Sequence, residues 1–431
     1  MQRFIPLLGI LFFLSVCYLF STNRKAIKMQ TIIWGLLLQF IFALLILKTT
    51  PGQNVFLFLN DQVIKFLNFA EKGASFVFGN LPGDHIPVGT GVYGEFQQSG
   101  TGGVKMVAQT MSSFAFKVLP TIIFFSSMMA ILYYFGIMQR VIEAVAWIMS
   151  KTMKTSGSES LSAAANIFVG QTEAPFVVRP FIDRMTNSEI MAIMTGGFAT
   201  IAGGVFIAYV GFLYHVVPGI AGHLLSASIM SAPAGLVMAK VMYPETEKSE
   251  TAGVVRVQLK KIDANVFDAA TRGASDGLYL ALNVAAMLIA FVALIALVNG
   301  VLVYVGSQFG VENLTLSKIL GLAFSPVALL IGIPYKDALG AGNLIGLQIF
   351  ATEFVAYRTL AEAVDLSMRT RVVMSYALCG FANFMSIGIQ IGGISVLAPS
   401  RRHDLARIGF RAMVAGAFAC YTTACVAAIV I

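Results

Sequence analysis

Two glutamates stand alone inside long apolar stretches, and each directly follows a threonine, as Thr172-Glu173 and Thr352-Glu353. The stretch Asn-Ile-Phe-Val-Gly-Gln-Thr-Glu-Ala-Pro at 166–175 has a counterpart in Asn-Leu-Ile-Gly-Leu-Gln-Ile-Phe-Ala-Thr-Glu at 343–353. A Gly-Phe-Ala turn follows each copy inside a second apolar run, at 197–199 and 380–382. Ionisable residues in a repeat of broken hydrophobic segments predict a ligand-binding site within a membrane.

The chemistry of these breaks favours a neutral ligand that carries many hydrogen-bonding groups. Carboxylates accept hydrogen bonds from hydroxyl groups, and an amide side chain such as Gln171 both donates and accepts. Neither copy places an Arg or Lys beside its Thr-Glu break. An anionic ligand is therefore disfavoured.

The elements that position these residues are predicted to be membrane helices. Of 431 residues, 57% are hydrophobic and only 12% are charged, about half the usual charged share of a soluble domain. A bilayer span takes about 20 apolar residues. We predict an all-α polytopic membrane protein with eight transmembrane helices, at 4–20, 29–47, 118–138, 191–214, 216–239, 277–311, 372–399 and 412–431.

The basic residues predict the orientation of these spans and argue against nucleic acid as the partner of a chain with net charge +8. They cluster in the loops that follow the first, third, fifth and seventh spans, for example Arg24, Lys151, Lys248 and Arg402. Basic loops stay in the cytoplasm. We therefore expect a multi-pass membrane protein with both termini outside the cytoplasm.

Four apolar segments are too short or too broken to be simple spans. Residues 161–172 and 338–352 end at the two glutamates, and we predict two re-entrant hairpins. Three spans separate them, so they enter from opposite faces as inverted repeats. Residues 55–70 and 319–335 are predicted to be interfacial helices, and the Gly-rich stretch 83–103 an external loop. The resulting division is 1–110, 111–265 for the first repeat and 266–431 for the second.

Three motifs together resemble the concentrative nucleoside transporter family. They are Gly-Gln-Thr-Glu-Ala-Pro at 170–175, Glu-Phe-Val-Ala-Tyr at 353–357 and Tyr-Ala-Leu-Cys-Gly-Phe-Ala-Asn-Phe at 376–384. The resemblance covers roughly residues 5–430 in order. It implies sodium-driven nucleoside uptake, with substrates such as uridine or adenosine, by a homotrimer in the lipid bilayer whose transport domains move like elevators. It implies no enzymatic activity.

The resemblance also implies roles for individual residues. Gln171, Thr172 and Glu173 are expected to hold the nucleobase, with Val205 packing against it. Glu353, Asn383 and Ser386 are expected to bind the ribose hydroxyls, and Phe381 to lie against the base. The co-transported sodium ion is expected at Asn166, Thr200 and the main-chain carbonyls of Val169 and Ile201. Two positions depart from the family pattern, since Thr200 replaces Ser and Thr352 replaces Asn.

Plainer interpretations exist for several of these residues. Glu173 could form an ion pair with Arg179, Asn166 could cap a helix end, and Phe381 could be ordinary packing. Two other classes were considered. An intramembrane enzyme is disfavoured because the sequence contains no His-Glu-x-x-His or Gly-x-Ser-x-Gly motif. A channel is disfavoured because it has no need for an occluding hairpin pair. A proton-coupled nucleoside symporter is the alternative within transporters.

Overall fold

A computed structural model describes residues 4–83, 85–88, 106–109, 114–251, 263–311 and 314–431. Within these ranges nearly all regular structure is helical, as the sequence predicts. The α-helices, numbered in chain order, are α1 (Ile5–Leu19), α2 (Met29–Lys48), α3 (Thr50–Phe78), α4 (Leu119–Tyr134), α5 (Ile137–Met153), α6 (Gly157–Asn166), α7 (Asn187–Ala199), α8 (Gly203–Leu213), α9 (Ile220–Met242), α10 (Val266–Gln308), α11 (Leu316–Ile331), α12 (Tyr335–Phe350), α13 (Glu353–Glu362), α14 (Met368–Ala377), α15 (Phe384–Leu397) and α16 (Arg402–Val430).

Shorter elements lie between these helices. Three 3₁₀ segments and one π-helical turn connect them, at Arg24–Ala26, Ala174–Arg184, Pro399–Arg401 and Phe114–Val118. Strands β1 (His85–Val88) and β2 (Met106–Gln109) pair in antiparallel fashion. Strand β1 falls in the stretch for which we predicted neither helix nor strand. Its partner, β2, lies about twenty residues further along the chain, so no local sequence pattern predicts the pairing.

Six helical segments of the described chain are long and apolar enough to cross a membrane. Helices α11 and α12, bent by 115° at the break between them, could add a seventh. Helix α1 and helix α15 are apolar but shorter. The polytopic membrane class therefore agrees with the sequence, whereas the count of eight spans stays a prediction.

The same series of elements occurs twice. The first begins with α6 packed against the 3₁₀ segment 174–184, followed by the broken pair α7 and α8 and by the unbroken α9. The second begins with α12 packed against α13, followed by the broken pair α14 and α15 and by α16. Helices α9 and α16 pack against each other and against α7 and α14. The two series thus form one core, and whether their hairpins are re-entrant stays a prediction.

Two predicted spans prove to be interrupted helices. The segment 191–214 breaks between Ala199 and Gly203, and the segment 372–399 breaks between Ala377 and Phe384. Both were predicted as continuous because they contain no charge. Polar side chains replace the interrupted backbone bonds: Thr200 bonds the carbonyl of Gly196 at 2.9 Å, and Asn383 caps α15 by accepting from the amide of Ser386 at 2.8 Å. A hydropathy scale does not detect that side chains have replaced main-chain hydrogen bonds at these breaks.

Other boundaries also differ from the prediction. The helix predicted at 55–70 extends over Thr50–Phe78, and the span predicted at 277–311 begins at Val266 and is 43 residues long. The segment 319–335 forms α11 and then turns at Gly332, whose φ of +95° requires glycine. Helix α11 packs along α12.

Carboxylates fix the base of each hairpin to the helix that follows it. In the first series, Glu189 accepts hydrogen bonds from Ser158 at 3.1 Å and from Thr251 at 2.7 Å. In the second series, Asp337 accepts from the hydroxyl of Ser367 and, at 2.6 Å, from that of Thr370. Each hairpin is therefore anchored at its base, and its tip is positioned from there.

The inverted arrangement predicts opposite chemical access to the two hairpins. After replacement of the four native cysteines, all of them buried, we expect Arg184→Cys to react with membrane-impermeant maleimide from the cytoplasm only. Val364→Cys, at a side chain that is 75% exposed, should react from the outside only. Labelling in right-side-out and inverted vesicles measures both, and reaction of the two positions from the same side contradicts the inverted repeats.

Candidate functional site

Four interruptions of helical structure meet near the centre of the core. Two are the hairpin turns, where α6 ends at Asn166 and α12 ends at Phe350. The other two are the breaks between α7 and α8 and between α14 and α15. Gly380 lies in the second of these breaks, and a Cβ atom there would stand 2.5 Å from the carbonyl oxygen of Phe198 near the end of α7. The two broken helices therefore cross at direct backbone contact.

A cavity of about 140 Å³ lies at this crossing. The structure brings to its wall all eight residues predicted to bind substrate: Gln171, Thr172, Glu173, Val205, Glu353, Phe381, Asn383 and Ser386. Among the described residues that line it, the charged groups are the two glutamates, and no Lys or Arg is present. The cavity thus offers hydroxyl, amide and carboxylate groups together with an apolar side.

Glu353 is the centre of a hydrogen-bonded group in this cavity. It begins α13, after Thr352 has capped that helix by accepting from the amide of Val355 at 3.4 Å. Its two carboxylate oxygens accept from the hydroxyl of Tyr209 at 3.0 Å and from the amide of Asn383 at 2.8 Å. Asn383 in turn is fixed by its cap on α15. The carboxylate is therefore held in one orientation, and Thr352, which departs from the family pattern, supplies the cap of α13.

Gln171 is the corresponding group on the first hairpin. It donates to the hydroxyl of Ser386 at 3.2 Å, and its carbonyl oxygen accepts from Gln390 at 3.0 Å. Gln390 also donates to the carbonyl oxygen of Met194 on α7 at 3.1 Å. These bonds connect the first hairpin to both broken helices. One N–H and one lone pair of Gln171 are left over for a ligand.

Glu173 does not form the ion pair considered from the sequence. Its carboxylate accepts from the main-chain amide of Gly170 in the same turn, and the salt bridges of the described residues include none between Glu173 and Arg179. The side chain is exposed to open space and lines two cavities. It is therefore available to a ligand.

The residues predicted to bind sodium lie at the end of α6 and in the break after α7. Asn166 donates to the carbonyl of Ser162 at 3.1 Å, while its side-chain oxygen is buried without a partner in the described structure. A Cβ atom on Gly196 would lie 3.3 Å from the Asn166 amide nitrogen, and Thr200 bonds to Gly196. Asn166 and Thr200 therefore both lie beside Gly196, in the last turn of α7. Val169 and Ile201 lie in non-helical backbone beside them.

Sequence reasoning missed several groups that form the site. Tyr209 and Gln390 are polar residues within apolar helices, a signal that was available, but their pairing with Glu353 and Gln171 joins positions 144 and 219 residues apart. Four residues of α10 form the apolar wall of the cavity: Leu280, Val284, Met287 and Leu288. The sequence of α10 does not distinguish the face that lines the cavity from its other apolar faces.

A second cavity of about 420 Å³ adjoins the first and shares Gly170, Glu173, Ala202 and Leu280 with it. At its far end Arg272 donates to both carboxylate oxygens of Asp263, at 2.6 and 2.9 Å. These bonds lower the pKa of Asp263 below its ordinary value. The combined space therefore leads from the buried crossing to charged residues at the start of α10.

Three family models match the chain. One described as "Na+ dependent nucleoside transporter N-terminus" covers residues 8–81, and one described as "Na+ dependent nucleoside transporter C-terminus" covers 223–428. Between them, residues 115–215 match a model described as "Nucleoside recognition". That segment contains the first hairpin, α7 and α8.

Relatives and solved structures agree with these matches. The "uncharacterized transporter YutK" of Bacillus subtilis is 43% identical over 426 residues, covering 98% of each chain. "Solute carrier family 28 member 3" of Homo sapiens is 40% identical over 445 residues, and the chain spans 60% of its length. The solved structure of CNTnw "in an inward-facing substrate-bound state" has a TM-score of 0.87 at 41% identity, covering 100% of this chain and 98% of that one.

The fold and these matches define the class of protein, which is a family of membrane transporters. The chain belongs to the family of sodium-dependent, or concentrative, nucleoside transporters. An outward-facing structure of CNTnw matches with the same TM-score of 0.87.

The backbone crossing at Gly380 gives a matched pair of tests. Gly380→Ala puts a methyl group against the Phe198 carbonyl and the Cys420 sulfur, both at 2.5 Å, and overpacking of this kind costs roughly 1–3 kcal/mol. Gly388→Ala, eight residues on, meets nothing within 4 Å. We expect a lower melting temperature and weaker nucleoside binding for Gly380→Ala alone. Equal behaviour of the two variants contradicts the crossing.

Proposed function

We propose that this protein is a sodium-coupled symporter that takes up nucleosides by an elevator-type alternating-access mechanism. The observation that carries the proposal is the cavity at the crossing, which combines two carboxylates, two carboxamides, hydroxyls and an apolar wall. A nucleoside is neutral and has ribose hydroxyls, a base edge with donors and acceptors, and a flat apolar face. The groups of the cavity complement each of these parts.

In the proposed pose the ribose binds at the second hairpin. A carboxylate offers about four lone-pair positions, and Tyr209 and Asn383 occupy two of those on Glu353. Glu353 and Ser386 line the same cavity, and the remaining lone pairs of the carboxylate would accept from ribose hydroxyls. Phe381 would lie against the base.

The base is proposed to bind at the first hairpin. The free N–H and lone pair of Gln171 would meet its edge, with Thr172 and Glu173 beside it and Val205 packed on its face. Because Gln390 and Ser386 already fix the Gln171 amide, little side-chain ordering is left to oppose binding.

Sodium is proposed to bind where α6 ends, at Asn166, Thr200 and the carbonyls of Val169 and Ile201. Sodium is a hard cation that suits side-chain oxygens and the carbonyls of unwound backbone. The unpartnered, buried oxygen of Asn166 supports this assignment, since such an oxygen is costly unless something binds it. An ion there would order the same turn that carries Gln171 and Glu173.

The assembly is proposed to be a homotrimer in the bacterial inner membrane, with both termini on the periplasmic side. Helix α10 supports an interface or lipid-facing position, because none of its most apolar stretch is buried within the protomer. The corresponding stretch of α9, by contrast, is 89% buried.

Proton coupling is the second candidate. It is favoured by Glu173 and Glu353, two carboxylates of the cavity that form no ion pair with a described Lys or Arg. A carboxylate in such a place could carry a proton with the substrate. The coupling ion therefore needs a direct test.

The ribose assignment predicts the effect of Glu353→Gln. The substitution removes the charged acceptor, and a hydrogen bond to a charged group contributes roughly 1.5–3 kcal/mol, so uridine affinity should fall about tenfold to hundredfold. Tyr209→Phe keeps the carboxylate and should cost less. Binding is measured by isothermal calorimetry on purified protein, and a 2′,3′-dideoxynucleoside should bind poorly to the unchanged protein. Unaltered uridine affinity in Glu353→Gln rules the assignment out.

The sodium assignment predicts the effect of Asn166→Ala. In proteoliposomes, sodium and nucleoside should raise each other's affinity by the same factor. Asn166→Ala should weaken the dependence of uridine uptake on sodium without changing which nucleosides compete. Its matched control is Asn343→Ala, which removes the counterpart residue of the second copy and another unpartnered oxygen. Uptake that is equal in choline and follows a pH gradient instead favours proton coupling.

A further inference from the structure

A third cavity, of about 670 Å³, lies at the base of the first hairpin. It is enclosed by the loop before α2, the end of α5, the start of α6 and the segment after α9. Five lysines line it together with three glutamates. The lysines are Lys28, Lys151, Lys154, Lys240 and Lys248.

One of these lysines is already neutralised. Lys240 forms a salt bridge with Glu159 at 2.6 Å, lies 3.6 Å from Glu245, and donates to Ser188. The other four form no salt bridge with any described residue, and Lys151 instead lies over the Trp147 ring at 4.7 Å. Like charges that share a cavity repel one another. An anion in this space would remove that repulsion.

Lys154 adds an independent observation. Among the residues that the structure describes, it is the one non-glycine residue with positive φ, at +52°, where it ends α5. Glycine is the usual residue at such a left-handed helix end, and other residues there are strained. A lysine at this position brings a charge to the cavity at the expense of backbone stability.

The position of the cavity indicates what kind of anion it meets. Lys28 directly precedes Met29, the first residue of the candidate span α2, and Thr31 on that helix bonds the carbonyl of Met153 at 3.0 Å. Trp147, half exposed, is typical of the boundary between membrane and water. Both features are typical of the level of lipid headgroups, on the side where the basic loops are expected. Inner leaflets there carry anionic lipids.

We propose that this cavity binds a phosphate-bearing anion, supplied by the headgroup of an anionic phospholipid or by a soluble phosphate. The four lysines that form no salt bridge with a described residue hold the phosphate oxygens. The bound anion joins the start of α2 and the end of α5 to α6, the helix whose opposite end carries Asn166. The proposal does not depend on which ion or nucleoside the central cavity takes.

Trp147 provides the probe. The chain has two tryptophans, so Trp34→Phe leaves Trp147, beside the lysines, as the single tryptophan that can be excited selectively. In detergent solution this variant is titrated with dihexanoyl phosphatidylglycerol, dihexanoyl phosphatidylcholine or inorganic phosphate. We expect a saturable change with the anionic lipid or with phosphate and none with phosphatidylcholine. A response to the lipid alone identifies the headgroup as the source, and an equal response to phosphate identifies a soluble anion.

Two sets of substitutions test whether the lysines cause the response. Each lysine should contribute about fivefold in affinity, so Lys28→Gln with Lys154→Gln should weaken binding about twentyfivefold. The control, Lys65→Gln with Lys72→Gln on exposed positions of α3, should leave it within twofold. Lys154→Gly alone relieves the left-handed backbone, so it should raise the melting temperature while lowering affinity.

The proposal is overturned by any of three results: no saturable response, an equal response to phosphatidylcholine, or an affinity that is unchanged in the double variant at Lys28 and Lys154. Because Lys154→Gly should stay folded, a change of affinity in that variant cannot be attributed to unfolding.

Discussion

The structure depends on one constraint, which is that interrupted helices inside an apolar core must still satisfy their main-chain polar groups. Irregular backbone is tolerated at membrane depth only where protein or a water-filled cavity surrounds it. In this protein the interrupted helices pack against one another, so that protein surrounds their irregular backbone. The end of α7 lies against Gly380 in the second broken helix and against Gly416 on α16, where a Cβ would stand 2.3 Å from the Cβ of Phe198. The breaks therefore come together at one place, and that place becomes the cavity.

The side chains that form hydrogen bonds to the interrupted backbone also line the cavity or orient the side chains that do. Thr352 and Asn383 cap α13 and α15, and those caps orient Glu353 and the side chain that bonds it. Gln171 is held by Ser386 and Gln390 from the other broken helix. Because these bonds exist before any ligand arrives, the polar groups of the cavity are preorganised. Changes that loosen a cap should accordingly act on binding as well as on stability.

The two hairpins are anchored at their bases and meet at their tips. Glu189 and Asp337 perform this anchoring from different elements, one on the helix after the hairpin and the other on the hairpin itself. The repeat is thus preserved in architecture while individual residues differ. The lysine-lined cavity lies at the base of the first hairpin, so an anion bound there would contact the element whose tip carries Gln171 and Glu173.

The sequence by itself predicted the membrane class and, through its motifs, the family and eight of the residues that line the central cavity, while the two hairpins stay a prediction. Those signals are local, since apolar runs, lone carboxylates and short motifs can be read without knowing what lies opposite. It did not determine that 191–214 and 372–399 are broken, because an uncharged break looks like an uncharged helix. Tertiary structure alone decided the pairings of Tyr209 with Glu353 and of Gln390 with Gln171, the cavity face of α10 and the lysine cavity. Each of these joins residues that are distant in the chain, and only packing brings them within hydrogen-bond or Coulomb range.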